Sequence, residues 1–268
     1  MIKPKAIVFS GYGLNCEEET KYAFELAGSQ TDIVHINDLI AGYYNIDNYQ
    51  ILAIPGGFAY GDDTGSGNAY ALKMKNHLWE KILNFIKKDV LIIGICNGFQ
   101  VLVNLGLLPA LNKAYGKREV ALDHNSLPRY NVRWVDLEMK NNSPWLRGIK
   151  NISLPIAHGE GKFTTSVKTL KKLKERKLIC AQFVKGDIYQ YQHLPANPNG
   201  AMENIAGITD ETKRILGIMP HPERAIFFHQ QPNFPYLKER YLRGSQSIPR
   251  FGPGLKIFQN SVNYFNSL

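Results

Sequence analysis

Short apolar runs and stretches with helical spacing alternate along the first hundred residues. KAIVFSG (5–11) is short and apolar. EEETKYAFELAG (17–28) has helical spacing, opens on three acids and closes on glycine, the start and stop signals of a helix. TDIVHIN (31–37) and YQILAIPGG (49–57) read as further strands, NAYALKMKNHLWEKILNFIKK (68–88) as a long helix, and VLIIGIC (90–96) as a strand that runs into another helix. Buried strands separated by helices predict an α/β fold: a doubly wound, mostly parallel sheet flanked by helices. Ligands of such sheets bind beyond the carboxyl ends of the strands, where both PGG (55–57) and Cys96 lie.

The second half has more strand-like runs: RYNVRWVDLEM (129–139), NISLPIAH (151–158), LICAQFV (178–184), IAGITD (205–210) and RILGIMP (214–220). It closes on a helix, GLKIFQNSVNYFNSL (254–268). Between them, Ile226 to Gly254 is rich in proline and aromatics and reads as an irregular excursion. Neither an internal repeat nor a long linker divides the chain, so residues 1–268 are expected to form one domain.

Composition narrows the classes. At 268 residues, 44% hydrophobic and 21% charged, the chain can bury a full core. No stretch approaches the roughly 18 apolar residues of a membrane span, and the opening apolar run is too short for a signal peptide. Cys16, Cys96 and Cys180 lie far apart with no CxxC pair, which argues against a disulfide framework or a zinc cluster and for a reducing cytoplasm. The net charge of +9 is densest in KTLKKLKERK (168–177), where Leu170 and Leu173 keep an apolar edge. That is the pattern of a solvated amphipathic helix rather than of a nucleic-acid interface, and no nucleic-acid partner is expected.

Candidate chemistry centres on GICNG (94–98), which follows the apolar run VLII and leads into FQVLVNLGLL. Strand, sharp turn and helix with glycines two places either side of a cysteine is the pattern of a nucleophile elbow. There Cys96 would face the positive end of a helix, which favours thiolate. On these five residues alone, a small buried cysteine between strand and helix stays open. A catalytic cysteine also needs a base, and that base an orienting carboxylate. Among seven histidines, His221 in MPHPER stands out. The residue before a proline is pushed towards extended conformation, so His221 and Glu223 point the same way at the end of RILGIM. For a tetrahedral oxyanion, the N–H of Asn97 is one candidate donor, and that of Gly57 or Phe58 in PGGF is the second.

PGGFAYGD, GICNGFQVLVNLGLLP, AHGEGKF, NPNGA and GIMPHPER, in this order, resemble a class I (triad) glutamine amidotransferase. HGEG and CNGFQ narrow the resemblance to the glutaminase subunits of phosphoribosylformylglycinamidine synthase, an enzyme of de novo purine synthesis. It extends from GYGLNCEEE to GLKIFQNSV. Two features depart from the short bacterial form: Asp63-Thr64-Gly65 follow YGD, where Tyr-Leu-Arg is usual, and the excursion at 226–254 is longer.

The resemblance implies a triad of Cys96, His221 and Glu223, an oxyanion hole of Gly57 and Asn97, and L-glutamine as substrate. Gln100, four residues after Cys96 on the same face of the first helical turn, becomes the candidate to contact the backbone groups of glutamine. His158, Glu160 and Asn199, in glycine-containing loops, are placed near the pocket by the resemblance. Cys16 reads as structural and Cys180, inside LICAQF, as core. No phosphate-binding loop or metal-ligand spacing is visible, so no cofactor and no metal are expected on this chain. ATP and magnesium would belong to a synthetase partner, joined or not by a small accessory subunit. Two rival readings remain: another Cys-His hydrolase on a similar sheet, which leaves HGEG and NPNG without a role, and a catalytically silent binding module, which has no need of the whole triad.

Overall fold

In the computed structural model, which describes residues 3–140 and 143–266, the apolar runs pair as strands in chain order: β1 (Lys5–Ser10), β2 (Gln30–His35), β3 (Ile51–Ile54), β4 (Leu91–Ile95), β5 (Val120–His124), β6 (Asn131–Met139), β7 (Asn151–His158), β8 (Glu160–Thr165), β9 (Ile179–Val184), β10 (Ile205–Thr209) and β11 (Ile215–Ile218). Nine of them form one sheet in the order β2-β1-β3-β4-β11-β10-β9-β6-β7. From β2 to β11 every neighbouring pair is parallel, and from β11 to β7 every pair is antiparallel. β3, β4 and β11 are buried at every residue, as strands covered on both faces must be.

The helices are α1 (Glu17–Ala27), α2 (Ile36–Ala41), α3 (Asn68–Ile86), α4 (Asn97–Asn104), α5 (Val167–Glu175), α6 (Asp187–Gln192), α7 (Phe234–Arg243) and α8 (Leu255–Asn266). The order β2-β1-β3 reverses direction, so right-handed crossovers put α1 and α3 on opposite faces. α8 joins α1, with Phe258 edge-on to Phe24 at 4.9 Å, while α3 packs on α2 and α4. α5 buries Leu170 and Leu173 and leaves its lysines outward, the solvated amphipathic helix expected of the basic run. One hydrophobic core runs through the whole sheet, as expected for a single domain.

Two differences from the sequence reading stand out. HGEGKF does not form a loop: His158 ends β7 and Glu160 opens β8, which pairs with β5 in a separate two-stranded antiparallel sheet. The polar sequence of β8, EGKFTT, and a partner strand far away in the chain explain why no strand was expected there. The excursion, expected to be irregular, contains α7, with none of its residues buried. Its base is closed by a bridge between Phe227 and Phe251 and by the N–H of Gly252 donating to Ile226 O at 2.8 Å.

A glycine floor sets α4 against the sheet. Gly94 of β4 lies beside Gly217 of β11, and the ring of Phe99 occupies the space a Cβ on Gly217 would need, 2.1 Å from its nearest atom. A Cβ on Gly98 would stand 1.9 Å from the carbonyl oxygen of Ile54, a backbone atom that cannot move aside. Gly98→Ala should therefore cost about 3 kcal/mol or more, the upper end of the overpacking range, and lower the urea midpoint; an unchanged midpoint would contradict this packing.

Candidate active site

Cys96 stands between β4 and α4 with φ 51° and ψ −107°, a combination that L-residues rarely adopt. Hydrogen bonds hold it there. Its N–H donates to Ile218 O at 2.8 Å, and its carbonyl accepts from Phe99 and Gln100 at 3.0 and 3.2 Å. The thiol is buried, and Sγ lies 3.7 Å from Ala157 O at the end of β7. These are the features of an elbow, with α4 beginning at the next residue.

β11 delivers His221. Its N–H donates to Pro155 O at 2.8 Å, its backbone is extended (φ −104°, ψ 91°), and Pro222 starts a single 3₁₀ turn that brings Glu223 back against it. Nδ1 meets Glu223 Oε1 at 2.5 Å, and both side chains are buried. Burial alone would lower the basicity of this imidazole. The Glu223 carboxylate, with the sulfurs of Cys96 and Cys16, overcomes that and holds His221 well above the usual histidine range. Nε2 is buried without a hydrogen-bond partner among the described residues, which leaves it for proton exchange with a reacting group.

Of the second oxyanion donors left open by the sequence, Phe58 is committed, since its N–H donates to Gly13 O at 2.8 Å. The N–H groups of Gly57 and Asn97 have no acceptor among the described residues. Asn97 also ties the PGGF loop to the elbow. Its Oδ1 accepts from Ala59 N–H at 3.1 Å, and its Nδ2 donates to Asp62 Oδ1 at 3.1 Å and Gln100 Oε1 at 2.8 Å. In that loop Tyr60, Gly61 and Asp62 are successive left-handed residues.

Gln100 is buried, and its Nε2 donates to Glu160 O at 2.7 Å, so its amide is engaged within the protein. Glu160 Oε2 accepts from Ser66 N–H at 3.1 Å and Oε1 lies 3.4 Å from His124 Nδ1. Glu160, Ser66 and His124 line both a cavity of about 210 Å³ shared with Gln100 and Arg118 and one of about 290 Å³ shared with Phe58 and Tyr130. His158 and Asn199 meet below, with Asn199 Nδ2 3.0 Å from His158 Nε2 and donating to Gly161 O at 2.8 Å. Burial, then the charges of His221 and Arg133, push His158 down to about 3, so it is a neutral imidazole bracing the β7–β8 corner.

Residues 3–265 match the family model described as a CobB/CobQ-like glutamine amidotransferase domain. A protein of Methanococcus maripaludis named phosphoribosylformylglycinamidine synthase subunit PurQ is 50% identical over 99% of this chain and 100% of its own length. One of the same name from Dehalococcoides mccartyi is 41% identical over 98% of both. The chain belongs to the PurQ family of glutamine amidotransferases. The solved structure of PurLQS from Thermotoga maritima contains a chain 28% identical, with a TM-score of 0.71 over 98% of this chain and 100% of that one. Among the described residues no helix is long and apolar enough to cross a membrane.

Sequence reasoning for this family member missed several neighbours of the site. Cys16, read as structural, is buried beside His221, and Arg224 Nη2 donates to its Sγ at 2.9 Å. Ligand atoms of Cys16, His221 and Glu223 lie within 4.8 Å of one another, a spacing that suits a metal ion. The Arg224 guanidinium, 4.0 Å from Glu223, already supplies positive charge to that cluster, which disfavours a metal there. Tyr130, whose hydroxyl donates to Ala157 O at 3.0 Å, stands over the Cys96 sulfur's acceptor. Cys180 is fully buried in β9, as its apolar surroundings imply.

The neutral His158 makes a prediction about pH. Its folded value near 3 lies below its ordinary 6.5, so between these the unfolded chain binds the extra proton and stability falls as pH falls. His221, shifted upward, is protonated in both states across that window and adds no slope. The unfolding free energy of the wild type should therefore depend more steeply on pH than that of His158→Gln, by up to about one proton between pH 4 and 6. Equal slopes in denaturant titrations would contradict it.

Proposed function

We propose that this chain is the glutaminase subunit of phosphoribosylformylglycinamidine synthase and that Cys96, His221 and Glu223 hydrolyse L-glutamine. The observation that carries the reading is the joint arrangement of the strained elbow at Cys96, the buried His221–Glu223 pair and two uncommitted N–H groups. In the resting site His221 already holds the proton of the Cys96 thiol as an imidazolium, and the thiolate sulfur attacks the side-chain amide carbon. The oxyanion that forms is stabilised by the N–H groups of Gly57 and Asn97. As the carbon–nitrogen bond breaks, His221 returns the proton to the leaving nitrogen, which departs as ammonia and leaves a thioester. His221 then deprotonates a water that attacks the thioester, releasing glutamate and the free thiol. Glu223 fixes the imidazole and stabilises its protonated form.

Glu160 and Gln100 border the cavities in which glutamine would lie, while His158 and Asn199 support their walls. Ammonia passes to a synthetase that converts formylglycinamide ribonucleotide to formylglycinamidine ribonucleotide. The PurQ relatives and the PurLQS neighbour support such a partner, with a small accessory subunit beside it. ATP and magnesium act on that synthetase, and this chain carries no cofactor. Three free cysteines support a cytoplasmic location.

In the assembled synthase, Cys96→Ala should abolish glutamine-dependent synthesis and leave synthesis from ammonium salts intact. Product formation measured with each nitrogen source checks this, and persistent glutamine-dependent turnover would overturn the assignment of Cys96.

A further inference from the structure

The mechanism above gives no task to Cys16, yet this residue is held as tightly as Cys96. Its N–H donates to Gly56 O at 3.1 Å, and its carbonyl accepts from both the N–H of Thr20 at 3.1 Å and the hydroxyl of Thr20 at 2.6 Å. The sulfur and the His221 ring share the space above Gly56. A Cβ on Gly56 would stand 2.7 Å from His221 Cε1 and 3.2 Å from Cys16 Sγ. Arg224 donates to that sulfur at 2.9 Å, lies 3.5 Å from Glu19 and reaches within 4.0 Å of Glu223.

Glu223 is fully enclosed, and its Oε2 has no hydrogen-bond partner among the described residues. While His221 is protonated, the carboxylate has a counter-ion at 2.5 Å. During turnover His221 gives up its proton, and a buried carboxylate beside a neutral imidazole is costly unless another cation is near. Arg224 is that cation, and it cannot lose its own proton. Cys16, whose thiol burial pushes up, stays neutral and acts as an acceptor that aims the guanidinium.

We infer that Cys16 and Arg224 are positioning residues for this reaction: the thiol orients the guanidinium, and the guanidinium is the second cation beside the enclosed Glu223 carboxylate and keeps the His221–Glu223 pair in place through both protonation states of His221. The inference rests on the glutaminase reading above. Groups that face His221 are Glu223, Cys96 and Cys16, with Arg224 behind Glu223 and Cys16, His158 and Tyr130 acting on it from β7 and the loop before β6, and Glu19 from α1 through Arg224.

The test is steady-state glutamine hydrolysis by the assembled synthase against pH, for Cys16→Ala, Cys16→Ser, Arg224→Gln and Arg224→Lys. Cys16→Ala and Arg224→Gln should lower kcat by tenfold or more, up to about 10²-fold, with KM little changed. With its cation removed, Glu223 should hold the His221 proton more tightly, and the acid limb of kcat in Arg224→Gln should move to higher pH. Cys16→Ser and Arg224→Lys, which retain an acceptor and a cation, should recover much of the loss, a rescue that packing alone would not give. Wild-type kcat and pH profile in both Cys16→Ala and Arg224→Gln would overturn the inference, as would equal losses in Cys16→Ser and Cys16→Ala. Absence of glutamine hydrolysis in the wild-type complex would instead overturn the reading on which it rests.

Discussion

Cys96 must occupy a backbone conformation that costs an L-residue of order 1–3 kcal/mol, and the fold around it is arranged to keep it there. The bond from its N–H to Ile218 joins the elbow to β11, the strand that leads to His221. Gly94, Gly98 and Gly217 let α4 settle so close to β4 and β11 that the chain has little room to relax into an ordinary turn. One local strain thus fixes two things together: the thiol at the tip of the turn and its distance in the sheet from the strand that leads to His221.

Electrostatics then depends on burial. A carboxylate as enclosed as Glu223 is costly to bury without cations beside it, and His221 and Arg224 are both in position. The loop that follows Gly57 is held differently, through polar contacts from Asn97 to Asp62 and from Ser66 to Glu160, and it contains three successive left-handed residues, Tyr60, Gly61 and Asp62. The chemistry therefore has a rigid side, built by the sheet, and a side built from loop hydrogen bonds that bears one of the uncommitted N–H groups.

The parallel half of the sheet is legible in the sequence because its strands, such as ILAI and LIIGI, are apolar throughout and separated by well-signalled helices. Cys96, His221 and Glu223 are legible for a related reason. Their placement rests on local backbone rules, glycines around an elbow and a proline after a histidine, that short segments carry by themselves. What could not be read are pairings across long separations. Arg224 and Cys16 are 208 residues apart, and His158 and Asn199 are 41 apart. β8 escaped because its register with β5 is set by a partner and not by its own polar sequence. A helix in the excursion was hidden by the flanking prolines and aromatics, which resemble loop composition, although Pro235 stands in the first turn of α7, where proline is accommodated.

The central claim is that one of three buried cysteines has been made a nucleophile by its turn. Treatment of the protein with a glutamine-analogue electrophile, followed by peptide mapping, tests it most directly. The account predicts covalent label on Cys96, with Cys16 and Cys180 unmodified. Label on Cys16, the other sulfur beside His221, would contradict it.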